Sequence, residues 1–221
     1  MRRTVLATLL FVVGGLSACD PTTGSPPAPG EDAPPYRVHV EPVTAADLGS
    51  SYEPGCPVGP EALRRVRVDY WGYDGEVHRG DLIVAASVAD DVGWAFGELY
   101  DARFQIRRIH PVARYGGDDD ASMAANNTSA FNCRRVTGGS GWSEHAYGTA
   151  IDINPIQNPY VSSGGTVLPS EGEIWADRSL RVPGMIHRNG VVVRTFTGLG
   201  WGWGGDWTSL KDYQHLSLSG G

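Results

Sequence analysis

The ten residues Ser143-Glu144-His145-Ala146-Tyr147-Gly148-Thr149-Ala150-Ile151-Asp152 constrain this chain more than any other stretch. They place a histidine and an aspartate seven positions apart with a glycine between them. Near the C-terminus, Asp212-Tyr213-Gln214-His215 adds a second imidazole and a second carboxylate. Zinc takes neutral imidazole nitrogen and ionised carboxylate oxygen in a roughly tetrahedral set. Two imidazoles, one carboxylate and a spare carboxylate are the inventory of a zinc site that keeps a position open and a general base beside it.

Two local geometries bring His145 and Asp152 together. On a helix they lie two turns apart on one face. Gly148 and the β-branched Thr149, Ile151 and Ile153 favour a turn feeding a strand instead. In that geometry Gly148 lets the backbone bend close to the ion. Ala150, Asp152 and Asn154 then share one face of the strand, with Ile151 and Ile153 on the other. His215 completes the set from a separate segment. Asp212, three residues earlier, suits proton transfer better than direct ligation. A single His–Asp pair is a weak signal; the combination of both stretches is much more specific.

The pattern S-x-H-x-x-G-x-A-x-D is filled by Ser143, His145, Gly148, Ala150 and Asp152, and an acid-x-x-His pattern by Asp212 and His215. Both resemble the VanY/VanX-type zinc peptidases: D-alanyl-D-alanine carboxypeptidases, dipeptidases and L-alanyl-D-glutamate endopeptidases. The similarity spans roughly residues 55–218, with its specificity concentrated in these motifs. The resemblance implies an α+β fold with a small, largely antiparallel sheet and flanking helices, hedgehog/D-Ala-D-Ala-peptidase-like. It implies that His145, Asp152 and His215 bind Zn2+, that Asp212 is the general base, and that an arginine near the site steadies negative charge. Arg134 is the first choice for that arginine, because its segment precedes the metal motif, and Arg108 the second. Ser143 either bonds substrate or stabilises its loop. Trp203 either walls the cleft or packs in the interior. Leu216 stands where the family commonly has phenylalanine, an apolar replacement. The implied activity is hydrolysis of a peptide bond in peptidoglycan stem peptides, as a D,D-carboxypeptidase or an L-Ala-D-Glu-type endopeptidase. The alternative is a catalytically silent zinc-containing module that binds cell-wall peptide.

The N-terminus reads as an export signal. Arg2 and Arg3 precede an apolar run from Val5 to Gly15, too short for a stable membrane-spanning helix. Leu16-Ser17-Ala18-Cys19 resembles a bacterial lipobox, making residues 1–18 a signal peptide and Cys19 a lipidated anchor at the outer side of the cytoplasmic membrane or in the cell envelope. The paired arginines leave both general and twin-arginine export open. Residues 19–45 are proline- and glycine-rich and read as a linker, and residues 46–221 as the peptidase domain. With Cys19 assigned to lipid, Cys56 and Cys133 are left to pair outside the cytoplasm. The formal charge of −7 becomes −9 without Arg2 and Arg3. No basic stripe remains for phosphates, which excludes nucleic acid as a partner. A monomer is expected.

Periodicity supplies the scaffold. Val66–Trp71 and Asp81–Ala86 read as strands joined through an Asp74-Gly75 turn. Val88, Val92, Ala95, Phe96 and Leu99 mark one helix face, with Ser87 as its cap. Glu61 to Arg65 reads as a short helix, Phe104–Val112 and Val191–Phe196 as strands, and Gly116 to Asp120 as a solvated loop. The stretch 126–136 reads as a polar turn running into a strand, and 164–181 as irregular.

Overall fold

The computed structural model describes residues 33–137 and 139–220. Its strands are β1 (Val38–Pro42), β2 (Leu63–Trp71), β3 (Val77–Ala85), β4 (Ala150–Asp152), β5 (Tyr160–Val161), β6 (Val167–Leu168), β7 (Gly202–Trp203), β8 (Lys211–Asp212) and β9 (His215–Ser217). Its α-helices are α1 (Ala45–Leu48), α2 (Ala89–Asp101), α3 (Asp119–Ala124) and α4 (Val191–Gly198). The strands form three antiparallel three-stranded sheets, ordered β1-β2-β3, β4-β9-β7 and β6-β5-β8. The fold is α+β, as the resemblance implies.

The β1-β2-β3 sheet is the scaffold. Trp71 pairs with Val77 at the closed end of the β2-β3 hairpin, where Gly75 adopts a positive φ of 78° in the Asp74-Gly75 turn. One sheet face meets α2: Val66, Val68, Leu82 and Val84 pack with Val92, Ala95, Phe96 and Leu99 in a single buried cluster. Phe96 meets Phe196 of α4 edge to face, with centroids 6.5 Å apart, a favoured quadrupole geometry. Burying such side chains stabilises by about 1.5–3 kcal/mol each. The acid at Asp69 is fully buried in the sheet and held by Arg37 at 2.8 Å and Arg79 at 3.0 Å.

Several local readings are corrected by tertiary context. β1 falls inside the span 19–45 assigned to the linker: Val40 packs against the core cluster, and Val38 pairs with Val68, so the fold takes in residues well before 46. Val191–Phe196 is not a strand but the body of α4, capped by Gly190 and burying Val192, Val193 and Phe196. Packing of that face against α2 outweighs the β-preference of three successive valines. Phe104–Val112 forms only isolated bridges, Trp71 with Gln105 and Ile109 with Thr128. The Asn154 side chain there takes the place of a neighbouring strand, accepting from Arg107 N at 2.9 Å and donating to Gln105 O at 2.9 Å. Residues 126–136 likewise form bridges rather than a strand. The expected loop at 116–120 ends in α3, because Asp118 caps it by accepting from Ala121 N at 3.0 Å. Ser87 lies within a 3-10 turn, Ala86–Val88, and does not cap α2. Pro60 opens only a 3-10 turn, Pro60–Ala62, before β2 begins.

Cys56 and Cys133 form a disulfide with Cα atoms 5.8 Å apart. It fastens the segment leading into Arg134 to the turn before β2. Cys19 and the signal sequence at 1–18 lie outside the described residues. Among the described residues, no helix is long and apolar enough to cross a membrane.

Candidate metal centre

The register of β4 against β9 places Asp152 directly opposite His215, so both side chains leave the same face of the sheet. His145 arrives from the 3-10 turn Glu144–Tyr147, which Ser143 caps by accepting from His145 N at 3.3 Å. Gly148 ends that turn with φ +71°, and its carbonyl accepts from Ala85 N at 2.8 Å. A Cβ at this position would stand 2.6 Å from Ala85 N. Only glycine therefore lets the turn rest on the end of β3 and hand the chain directly to β4. The turn-then-strand reading of the motif holds, and the helical one does not.

One nitrogen or oxygen from each of His145, Asp152 and His215 lies within 4.8 Å of the others, and all three residues are buried. His145 Nδ1 is 2.6 Å from the Ala130 carbonyl. The carbonyl can only accept, so Nδ1 carries the proton and Nε2 presents its lone pair. Nε2 lies 3.1 Å from Asp152 Oδ2 yet makes no aligned hydrogen bond. His215 Nδ1 is 3.0 Å from Asp152 Oδ1. Asp152 thus turns one oxygen toward each imidazole. Burial works against a charged His145, but Asp152 outweighs it and the net shift is upward. Burial would also raise Asp152, and the two imidazoles overcome it to hold the carboxyl far below the usual range. A carboxylate kept ionised between two imidazoles fits a divalent cation, which would take the place of the protons between them, and the donor set of two imidazoles and one carboxylate suits zinc.

Asp212 lies beside this cluster. Its Oδ1 is buried without a hydrogen-bond partner. Burial, then repulsion from Asp152, pushes its carboxyl up to about 6. The backbone explains its position: β8 pairs with β5, setting Asp212 opposite Tyr160, and Gly204 packs so tightly that a Cβ there would come 2.5 Å from Asp212 O. Asp212, Asp152, Arg134, Tyr160, Asp120 and Gln214 all line one small cavity of about 40 Å³. That is roomy enough for water, which needs about 10–15 Å³ of such space.

The remaining sequence candidates lie at different places relative to this cavity. Arg134 lines it and is ion-paired with Asp119 at 2.8 Å. Arg108 is not among its lining residues. Ser143 is buried, and its hydroxyl is occupied in capping the His145 turn, so its position fits the loop-stabilising alternative rather than contact with substrate. Trp203 belongs to the core cluster and donates through Nε1 to Tyr213 O at 2.9 Å. It supports the Asp212–His215 segment from behind and does not wall the cavity. Leu216 is fully buried in the same core.

Sequence reasoning missed two contributors to the site. Trp207 packs on His215 with ring centroids 5.4 Å apart and anchors its indole nitrogen to Gly220 O at 2.9 Å. The glycine-tryptophan run at 200–207 was its only signal. The Ala130 carbonyl, which selects the His145 tautomer, is a backbone atom and leaves no trace in the sequence.

Residues 137–218 match a family model described as D-alanyl-D-alanine carboxypeptidase. The match contains both motifs and bears out the resemblance to the VanY-type peptidases. Neither a comparison with curated proteins nor one with solved structures gives a match.

Proposed function

We propose that this chain, a VanY-type peptidase by the family pattern across residues 137–218, is a zinc-dependent enzyme that hydrolyses a peptide bond in peptidoglycan stem peptides. The observation that carries the reading is the convergence of His145, Asp152 and His215 on one point, beside a cavity lined by Asp212, whose Oδ1 has no hydrogen-bond partner. A structural zinc site ordinarily closes its shell with four protein ligands. Among the described residues, the cluster contains three, which fits a catalytic role.

His145, through Nε2, Asp152 and His215, through Nδ1, would hold the ion. Zinc, when held there, supplies Lewis acidity toward a carbonyl and makes water acidic near neutral pH. The chain's own groups then divide the remaining work. The ionised Asp212 accepts a proton from the attacking water at its free Oδ1 and returns it to the leaving amine. Arg134 steadies the negative charge that develops on the carbonyl oxygen, with Asp119 holding its guanidinium in place. The Ala130 carbonyl and the Trp207 ring keep the two imidazoles in the orientation the ion requires. Export and lipid anchoring through Cys19 belong to the same proposal. They are supported by the signal-like sequence and by a disulfide that suits an oxidising compartment.

The test is mass spectrometry of defined muropeptides incubated with zinc-loaded protein, beside its Asp212→Ala variant. The wild type is expected to release D-alanine or to cut within the stem, and the product names the scissile bond. The variant is expected to keep the metal and lose turnover. Binding of muropeptides by both proteins with no product from either would instead mark a module that binds cell-wall peptide without cleaving it.

A further inference from the structure

A second cavity lies in the groove between β1 and α2. Its volume is about 410 Å³, and it shares no lining residue with the cavity at Asp212. The sheet order leaves β1 with a partner along one side only. Asp69 N donates to Arg37 O at 3.1 Å, one step before the pair Val38–Val68. Antiparallel ladders bond at alternate pairs, so the backbone groups of Val38 and Val40 point away from β2, along the free edge. Both valines line the groove. On the opposite wall, Gly93 and Gly97 stand one turn apart on α2 and admit the chain closely: a Cβ on Gly93 would come 2.9 Å from Val38 Cγ2, and one on Gly97 3.1 Å from Tyr36 Cε1. Tyr36 also donates its hydroxyl to Gly93 O at 2.7 Å, which fixes the two walls together. Trp94, beside these glycines, is 53% exposed, and Val38 is 46% exposed. An open strand edge beside an uncovered apolar surface is a place for another chain to add.

The rim of this groove has one sign. Asp90, Glu98 and Asp101 line it, all three are exposed, and none forms an ion pair among the described residues. The cations on the flanking segments are engaged elsewhere: Arg37 holds Asp69 at 2.8 Å, and Arg103 lies over the Trp71 ring at 4.6 Å. Asp90 sits in the first turn of α2, where the helix dipole favours it. Glu98 and Asp101 sit in the last turn, which holds no basic residue and where the dipole opposes a carboxylate. The helix itself therefore gives no reason for them. We infer that the groove docks an extended, cationic polypeptide segment, which pairs with the free edge of β1, lays apolar side chains on Val38 and Trp94, and sets lysines or arginines against Asp90, Glu98 and Asp101. The inference stands apart from the peptidase reading. The same carboxylates repel an anionic lipid surface and, given the chain's net charge of −7, a second copy of this protein.

The test is a titration of isotope-labelled full-length protein, followed by amide NMR, with the peptide acetyl-Lys-Val-Lys-Val-Lys-Val-amide, with its counterpart carrying glutamate in place of lysine, and with an N-acetylglucosamine tetramer. The lysine peptide is expected to shift the amides of residues 36–40 and 90–101, and the glutamate peptide to shift none. The combined substitution Asp90→Asn, Glu98→Gln and Asp101→Asn, all at exposed positions, is expected to weaken binding about tenfold, the scale of three solvent-exposed ion pairs. Trp94→Ala is expected to weaken it about fivefold. Both variants should leave the spectrum outside the groove unchanged. Methylating the backbone nitrogens of the lysine peptide should abolish binding, because strand pairing needs those donors. No shifts, shifts elsewhere, an equal response to the glutamate peptide, or binding that survives the triple substitution or the methylation overturns the inference. Shifts of the same amides by the sugar alone would mark a glycan site and overturn it equally.

Discussion

The two halves of this fold are held by different forces. The β1-β2-β3 sheet and α2 use long strands, a nine-residue register between β2 and β3, and an aliphatic interface. The candidate metal centre stands on strands of two or three residues, too short to fix themselves by ladder hydrogen bonds. Buried polar side chains supply what the ladders lack. Asn158 donates to Ile153 O at 3.0 Å, Asn154 O at 3.2 Å and Gly184 O at 2.9 Å, and accepts from Ile186 N at 2.7 Å. The Arg178 guanidinium reaches Gln157 O at 2.7 Å and Trp175 O at 3.0 Å and sits 4.4 Å from the centre of the Tyr213 ring. The first region tolerates loss of a contact because apolar packing is shared among many neighbours. The second depends on individual atoms, because a buried polar network missing one member leaves the others unsatisfied.

This contrast is open to direct attack. The largest effect is expected from Asp212→Ala, whose turnover should fall by about 10²–10⁴-fold, the usual contribution of a general base, with zinc affinity and melting temperature nearly unchanged. Phe96→Ala should do the reverse. It should cost about 3–5 kcal/mol in denaturant unfolding while the surviving folded fraction binds zinc as before. The double substitution Cys56→Ser with Cys133→Ser releases a link across 77 residues and should cost about 4 kcal/mol in the chain-entropy model. Asn158→Ala should cost about 2–3 kcal/mol, through several lost buried hydrogen bonds. Unlike Phe96→Ala, it should also weaken zinc binding, because its partners lie on the segment that runs out of β4. If calorimetric titration shows both variants losing zinc affinity equally, the division into scaffold and site is wrong.

A smaller effect concerns pH in the metal-free protein. Burial and the nearby Asp152 raise Asp212 to about 6, above its unfolded value. The folded state therefore favours the protonated acid. That contribution is complete below the unfolded pKa and is lost as pH rises through about 6. Asp152→Asn, which removes the like charge, should bring the Asp212 titration down, as followed by carbon NMR of labelled aspartate.

The same contrast explains what was legible in the sequence. The Asp74-Gly75 turn, the alternation in β2 and the apolar face of α2 follow local rules, and each stands where those rules put it. The clustering of His145, Asp152 and His215 was legible because chemistry restricts the residue types that could hold an ion and Gly148 fixes a backbone shape. Val191–Phe196 was not, because its helix depends on meeting Phe96 rather than on its own valines. The roles of Ser143 and Trp203 were left open by the motif, since a capping hydroxyl and a core indole carry the same letters as a substrate-binding pair. Ala130 O, Asn154 and Asn158 act through backbone geometry that only the assembled chain reveals.

The central claim is that three side chains from two distant segments share one ion. Anomalous diffraction at the zinc edge from crystals of the zinc-loaded protein tests it most directly. The account predicts a single strong peak about 2.0–2.2 Å from His145 Nε2, His215 Nδ1 and an Asp152 oxygen, with no fourth protein ligand. A peak elsewhere, or one at this position closed by a fourth side chain, would contradict it.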